Sequence, residues 1–409
     1  MSATKPPAVR TVRCLSLMTL GMATAPLLIG LTRPAPAQEA TRSQDNEITD
    51  AAVTIVTVSA SSKQWPRKGE GDVIELSDGR LLLVSMEFGG EGDDFAKTRL
   101  VAHESSDGGS TWGGHRVITD TAPGDVNVYS PNLIRAQDGG VLLIFHRNHD
   151  AKGNDPRGGF TLHAWKSSDE GRTFKPLSEF FARGPYQLCN ATVKRLRSGR
   201  LLLPLNSAVP GDHGPWGKFA VSVAFSDDDG RTWQSSADKL TLPKRGAMEP
   251  HVEQAGDGRV LMVMRSQLGK LQLSESTDDG AHWSEPRPTD LNAPESCPEL
   301  VRIPSTGDLL MIWNNSFDPD FRSHFGKRSP LSAAISKDHG RTWQPIGDIE
   351  SDPRRAFSNP GCRFTRDGRA IINYWTCEYL PDWRMQDIID LRVAIIAPDW
   401  FDRSAKTSP

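Results

Sequence analysis

Apolar residues in this chain come in short, nearly unbroken runs, each preceded by a tight polar turn. The pattern appears as Asp78-Gly79-Arg80-Leu81-Leu82-Leu83 and again as Asp138-Gly139-Gly140-Val141-Leu142-Leu143. It returns at Ser198-Gly199, Asp257-Gly258, Thr306-Gly307 and Asp367-Gly368, each followed by three or more apolar residues after a spacer. An Asp-Gly step between two apolar runs is a strong hairpin signal. Runs that are continuous rather than alternating predict strands buried on both faces.

A polar octapeptide alternates with these hairpins. It reads Ser-x-Asp-x-Gly-x-Thr-Trp at Ser336–Trp343, and related copies start at Ser105, Ser167, Ser226 and Ser276. The second copy ends in Phe174, and the fourth has His282 in place of Thr. The copies recur every 50 to 62 residues, and self-similarity on that scale marks a repeat architecture. Two strands around each hairpin and two around each box make four per repeat, and four-stranded sheets arranged radially make a β-propeller. Six hairpins predict an all-β, six-bladed propeller over residues 51–403. The sixth repeat has no box and too few strands. Residues 53–58, Val-Thr-Ile-Val-Thr-Val, are strand-like and otherwise unpaired, so they are expected to close the ring against the last blade.

Strand polarity puts the hairpin turns and the boxes on one face. The boxes read as structural turns, with Ser and Asp bonding turn amides and Trp packing between blades. A calcium loop needs a longer ligand set than they offer, so no metal is expected there. The opposite face collects a different set. Nine residues before each turn Gly stand Glu70, Ser130, Asn190, Glu249, Pro298 and Asn359; seven after it stand Met86, His146, Asn206, Arg265, Asn314 and Trp375. Much of this ring is polar although it flanks apolar strands, and it surrounds the mouth of the predicted central channel. Convergent polar groups at a mouth suggest a ligand site, and Glu, Asn, Arg and His suit a polar, hydroxyl-rich ligand such as a sugar. Long loops on this face carry Glu91, Asp93 and Asp94, then His149, Asp150 and Asp155, then Asp318, Asp320, Arg322, His324, Lys327 and Arg328. Most of those charges are expected to be solvated.

Composition adds location. Lys5, Arg10 and Arg13 precede an apolar run and Ala35-Pro36-Ala37, which reads as a secretory signal peptide over residues 1–37; an uncleaved anchor is the alternative. A flexible segment, 38–50, would follow. Removing 1–37 takes four basic and no acidic residues, leaving 44 basic against 51 acidic and a net charge of −7. That balance argues against nucleic acid, whose phosphates need a basic face. The expected location is secreted or periplasmic, with no membrane association after cleavage. Export permits disulfides, but Cys189, Cys297, Cys362 and Cys377 allow three pairings and show no metal-ligand spacing. Small buried apolar residues are the alternative. No cofactor is implied.

The boxes and the six repeats resemble the sialidase superfamily, most closely its secreted bacterial BNR-repeat branch, over nearly the whole chain after residue 37. That resemblance implies an exo-glycosidase acting on sialic acid or another terminal acidic sugar of a glycan. It implies three arginines gripping the substrate carboxylate, a Tyr nucleophile activated by a Glu, and an Asp acid/base, a departure from the two-carboxylate glycosidase scheme. Met248-Glu249-Pro250 is similar to the family's activating Glu, and Val263-Met264-Arg265 to its second arginine. The structural alternative for this pair is a plain ion pair. Arg328 resembles the third arginine, and Arg67 is the nearest candidate for the first. Asp93 or Asp94 would be the acid. Glu70, His146, Asn190, Asn314 and Asn359 would complete the substrate-binding ring. The family's Tyr-Ser corresponds to Phe357-Ser358, which has no phenol, leaving Tyr129 or Tyr374 as distant substitutes. A non-catalytic carbohydrate-binding propeller and a polysaccharide lyase are the competing functions.

Overall fold

The computed structural model describes residues 47–50, 52–149, 159–209, 217–321 and 324–402. The proposed signal peptide, Asp150, Asp155 and Arg322 lie outside them. The chain forms six antiparallel sheets, five of them from consecutive strands and the last from both ends of the described chain. Blade one runs Arg67–Glu75, Leu81–Phe88, Thr98–Ser105 and Gly113–Asp120. Blades two, four and five repeat that order, and blade three replaces its first and last strands with short paired segments. The first strands of successive blades face one another around the centre.

Ring closure follows the sequence expectation. Val53–Ser59 pairs antiparallel with Asp390–Ile396, the third strand of blade six, in a register running from Val53 opposite Ile396 to Ser59 opposite Leu391. One expectation needs correction. Within the segment expected to be flexible, Glu47–Asp50 forms a further strand against Val53–Ser59, so the last sheet has five strands.

The core is distributed as apolar clusters along the six seams between blades. The repeated box explains how each seam is held. In its first copy, the Ser105 hydroxyl donates to Asp107 Oδ1 (2.8 Å) and accepts from the Gly109 amide (2.9 Å), and Thr111 Oγ1 donates to Asp107 Oδ2 (2.6 Å). These bonds fix the turn, and Trp112 Nε1 donates back to the Gly109 carbonyl (2.8 Å). In the fourth copy His282 Nδ1 takes the place of the threonine hydroxyl at Asp278 Oδ2 (2.7 Å). The closing aromatic, Trp112, Phe174, Trp233, Trp283 or Trp343, packs into the seam with the preceding blade. Blade six has no box. Its seam with blade five is filled instead by Trp400 and Phe401, from the 3₁₀ turn Pro398–Asp402 at the end of the described chain.

Candidate active site at the channel mouth

The polar ring is built by a repeated irregularity in the first strand of the blades. The pairing register shifts between Gly69 and Asp72, Tyr129 and Asn132, Met248 and His251, and Ser358 and Gly361. Within each shift one non-glycine residue sits at positive φ: Glu70 at 40°, Ser130 at 54°, Glu249 at 42° and Asn359 at 51°. A bulge of this kind inserts a residue and re-aims a side chain. Left-handed backbone at non-glycine positions costs of order 1–3 kcal/mol and gathers at functional sites. In these four blades they are the residues nine positions before the turn Gly; in blade three the positive φ falls one residue later, at Ala191 (60°). Blade five has Pro298 nine positions before its turn Gly, and proline cannot adopt a positive φ.

Arg67 organises one side of the mouth. Its guanidinium donates to Glu70 Oε1 (2.6 Å), to Asp94 Oδ1 (2.6 Å) and, at 3.4 Å, to the Tyr129 hydroxyl. It also lies 4.0 Å from the centroid of the Phe88 ring. The Tyr129 hydroxyl donates to Asp94 Oδ1 (3.1 Å), and its ring stacks on His146 at 5.5 Å. Glu70 is buried, and desolvation, with Arg67 only partly offsetting it, raises its carboxyl above the usual range. Asp94 is the opposite case. Desolvation pushes it up, but Arg67 and the Tyr129 hydroxyl outweigh that and hold it low. Its side chain is 70% exposed. Asp93 faces elsewhere and accepts the Phe95 amide at 2.7 Å, closing its own turn.

Arg265 and Arg328 form the other side. Arg265 donates to Glu249 Oε2 (2.7 Å) and pairs with Glu295 Oε1 at 3.4 Å. Glu249 keeps 27% of its side chain exposed. Arg328 is different. Its guanidinium donates to Ser358 Oγ (3.1 Å) and lies 5.5 Å from the Trp375 ring, with no carboxylate ion-paired to it among the described residues. Burial first, then the Arg265 charge, lower its pKa. A buried guanidinium without an anion is costly, and its fork matches a carboxylate.

A model of the BNR repeat-like domain matches residues 69–372. The chain belongs to this BNR-repeat family of the sialidase superfamily. It is 25% identical over 329 residues to a sialidase of Micromonospora viridifaciens, covering 71% of this chain and 46% of that protein. The chain therefore spans less than half of that relative's length. Its fold is similar to a crystallised Dyadobacter fermentans protein of unknown function (TM-score 0.64, 17% identity, 85% of this chain and 100% of that one). It is also similar to the NanB sialidase of Streptococcus pneumoniae (TM-score 0.65, 14% identity, 84% and 70%). Trypanosoma rangeli sialidase gives a TM-score of 0.62 at 14% identity, over 85% and 56%.

Within this BNR-repeat propeller the remaining expected site residues take supporting places. His146 Nδ1 accepts the Leu188 amide at 3.2 Å, and burial, with His163 nearby, pushes its pKa down to about 3, so the ring is neutral beneath Tyr129. The Asn190 amide donates to the carbonyls of Gly71 (2.8 Å) and Asn359 (3.3 Å), a strut across the channel. Asn314 donates to the Phe357 and Pro330 carbonyls at 3.1 and 3.3 Å. Asn359 Oδ1 accepts from Trp375 Nε1 at 3.1 Å. Phe357 does not face the mouth: it is fully buried, edge-on to Tyr374 at 6.1 Å in the seam between blades five and six. In blade six the position that matches Glu70 and Glu249 is Asn359. Tyr374 is also in that seam, donating to Glu350 at 2.7 Å, so it cannot reach the arginines. Tyr379 accepts the Arg328 amide at 2.8 Å. Two groups had no sequence signal. Glu295 sits in a connection outside the repeat register, and the pairing of Cys189 with Cys297 and His251 depends on three blades meeting.

Proposed function

We propose that this BNR-repeat protein is a sialidase-like exo-glycosidase that removes a terminal acidic sugar from glycans, outside the cytoplasm. The observation that carries this reading is Arg328, a buried guanidinium at the mouth without an anionic partner among the described residues, beside Arg67 and Arg265. A sugar carboxylate supplies the missing anion, and the three arginines receive it. Bidentate forks fix its orientation as well as its charge.

Glu249 is the base and Asp94 the acid. No tyrosine hydroxyl is hydrogen-bonded to Glu249 among the described residues: Tyr129 bonds to Asp94, and Tyr379 accepts the Arg328 backbone amide. Glu249 is accessible to water, so it activates water directly, and the sugar is released with inversion. Arg67 couples binding to acid strength. In the free site it holds Asp94 deprotonated. A substrate carboxylate that draws Arg67 away removes that restraint, and the pKa of Asp94 rises towards one suited to proton donation.

The test is release of sugar from sialoside and uronide glycosides, with the first-formed anomer read by NMR. Inverted product is expected. Arg328→Lys is expected to raise KM about tenfold to a hundredfold, the loss of roughly 1.5–3 kcal/mol for a charge-assisted pair. Saturable glycan binding without product would show a non-catalytic binding propeller instead. An unsaturated, ultraviolet-absorbing product would show a lyase.

A further inference from the structure

Three consecutive blades deliver a soft ligand set to one point just below the mouth. Cys189 comes from blade three, His251 from the strand Met248–Gln254 of blade four, and Cys297 from just ahead of Glu299–Arg302 in blade five. The two sulfurs are 3.2 Å apart, Cys297 Sγ is 3.3 Å from His251 Nε2, and all three ligand atoms lie within 4.8 Å of one another. All three residues are buried. Behind the imidazole, Glu299 Oε2 lies 3.2 Å from His251 Nδ1, and neither atom has a hydrogen-bond partner of good geometry. Glu299 Oε1 accepts from Lys194 Nζ at 2.9 Å.

We propose that Cys189, His251 and Cys297 bind a thiophilic divalent cation of the zinc class. The donor types fit: two thiolates and an imidazole suit zinc, and three protein ligands leave a fourth position for water or another oxygen. The support fits too. A metal-bound histidine usually presents its other ring N–H to a carboxylate, which fixes tautomer and orientation, and Glu299 stands in that place. Zinc–sulfur and zinc–nitrogen bonds of about 2.3 and 2.0 Å with tetrahedral angles put the sulfurs roughly 3.8 Å apart and sulfur and nitrogen roughly 3.5 Å apart. The two short separations, sulfur to sulfur and Cys297 sulfur to the imidazole nitrogen, therefore need to open by only about half an ångström. By contrast, an S–S bond of about 2.05 Å requires the two sulfurs to close by more than an ångström. Charge balances as well. Binding one divalent ion releases the two thiol protons to solvent, and the two thiolates neutralise the ion within a buried site. Cys362 and Cys377 lack this surrounding and are ordinary buried thiols. The bound ion ties blades three, four and five together, two residues along the strand from Glu249. This inference is independent of the proposed reaction.

The experiment is elemental analysis of the full chain, produced with zinc and dialysed exhaustively. One zinc per chain is expected, and exchange for cobalt is expected to give thiolate-to-metal charge-transfer absorption. Cys297→Ser and His251→Gln are expected to reduce the zinc content to background. Should those variants not fold, the metal content and cobalt spectrum of the unaltered chain decide alone. Metal-free protein with two titratable thiols at these positions would overturn the proposal. So would a peptide map showing Cys189 bonded to Cys297, with the mass of two hydrogens lost.

Discussion

Two adjacent aspartates in one glycine-rich loop take different partners. Asp93 caps its own turn, whereas Asp94 meets Arg67 and Tyr129. Sequence offers no means of separating them, because both are acidic and flanked by flexible residues. Asp94→Asn is expected to lower kcat by about 10²–10⁴, the usual contribution of a general acid, with little change in KM. Asp93→Asn is expected to leave kcat within a few-fold. Equal losses in steady-state kinetics would show that the loop as a whole, rather than Asp94, matters. Phe357 shows a similar difference. Its place in the chain suggested a missing nucleophile, but its ring lies in a seam, and Asn359 takes the position on the ring.

At the scale of the element, the blades are held by a device that the last blade lacks. Each box ends in an aromatic residue that fills the seam behind it, and Trp400 fills the seam that has no box. It is one of the largest fully buried side chains, at 1% exposure. Truncating it leaves a cavity that packed blades cannot close. Trp400→Ala is expected to destabilise the fold by about 3–5 kcal/mol, read as a lower denaturation midpoint. An unchanged midpoint would mean that the seam does not rely on the terminal turn. The bulges are the other recurring device. They place Glu70 and Glu249 towards the centre, which regular pleating would not do for both neighbours of a buried strand.

For the whole molecule, stability should depend on acid through buried histidines. Desolvation first, and like-charged neighbours second, lower His103 to about 4 and His146 to about 3. Below the unfolded value of about 6.5, the unfolded chain binds protons that the folded chain refuses. Stability from these groups is therefore complete above about pH 6.5 and is lost as pH falls towards 4. Each histidine contributes a slope of about 1.36 kcal/mol per pH unit in that window. Urea titrations between pH 7 and 4.5 are expected to show His103→Gln losing stability less steeply than the unaltered chain. Parallel pH dependence would contradict the burial argument. The closed ring has a related effect on the whole: because Val53–Ser59 completes blade six, two distant parts of the chain must fold together.

The local pattern was enough to determine the architecture. Hairpin turns, apolar runs and boxes each act within about ten residues, so their repetition fixed six blades, their polarity, the closing strand and the face on which the polar ring lies. The same spacing singled out Glu70, Glu249 and Arg265, because bulges recur in register with the turns. Only the tertiary structure decided which groups meet. Tyr129 at Arg67, Glu295 at Arg265, and Cys189 with His251 and Cys297 are contacts between blades, separated by tens to more than a hundred residues. Such contacts depend on how sheets pack around the axis, and no spacing along the chain encodes them. Burial also belongs to the assembled ring: it leaves Arg328 with no carboxylate ion-paired to it among the described residues, which is the basis of the proposed anion site.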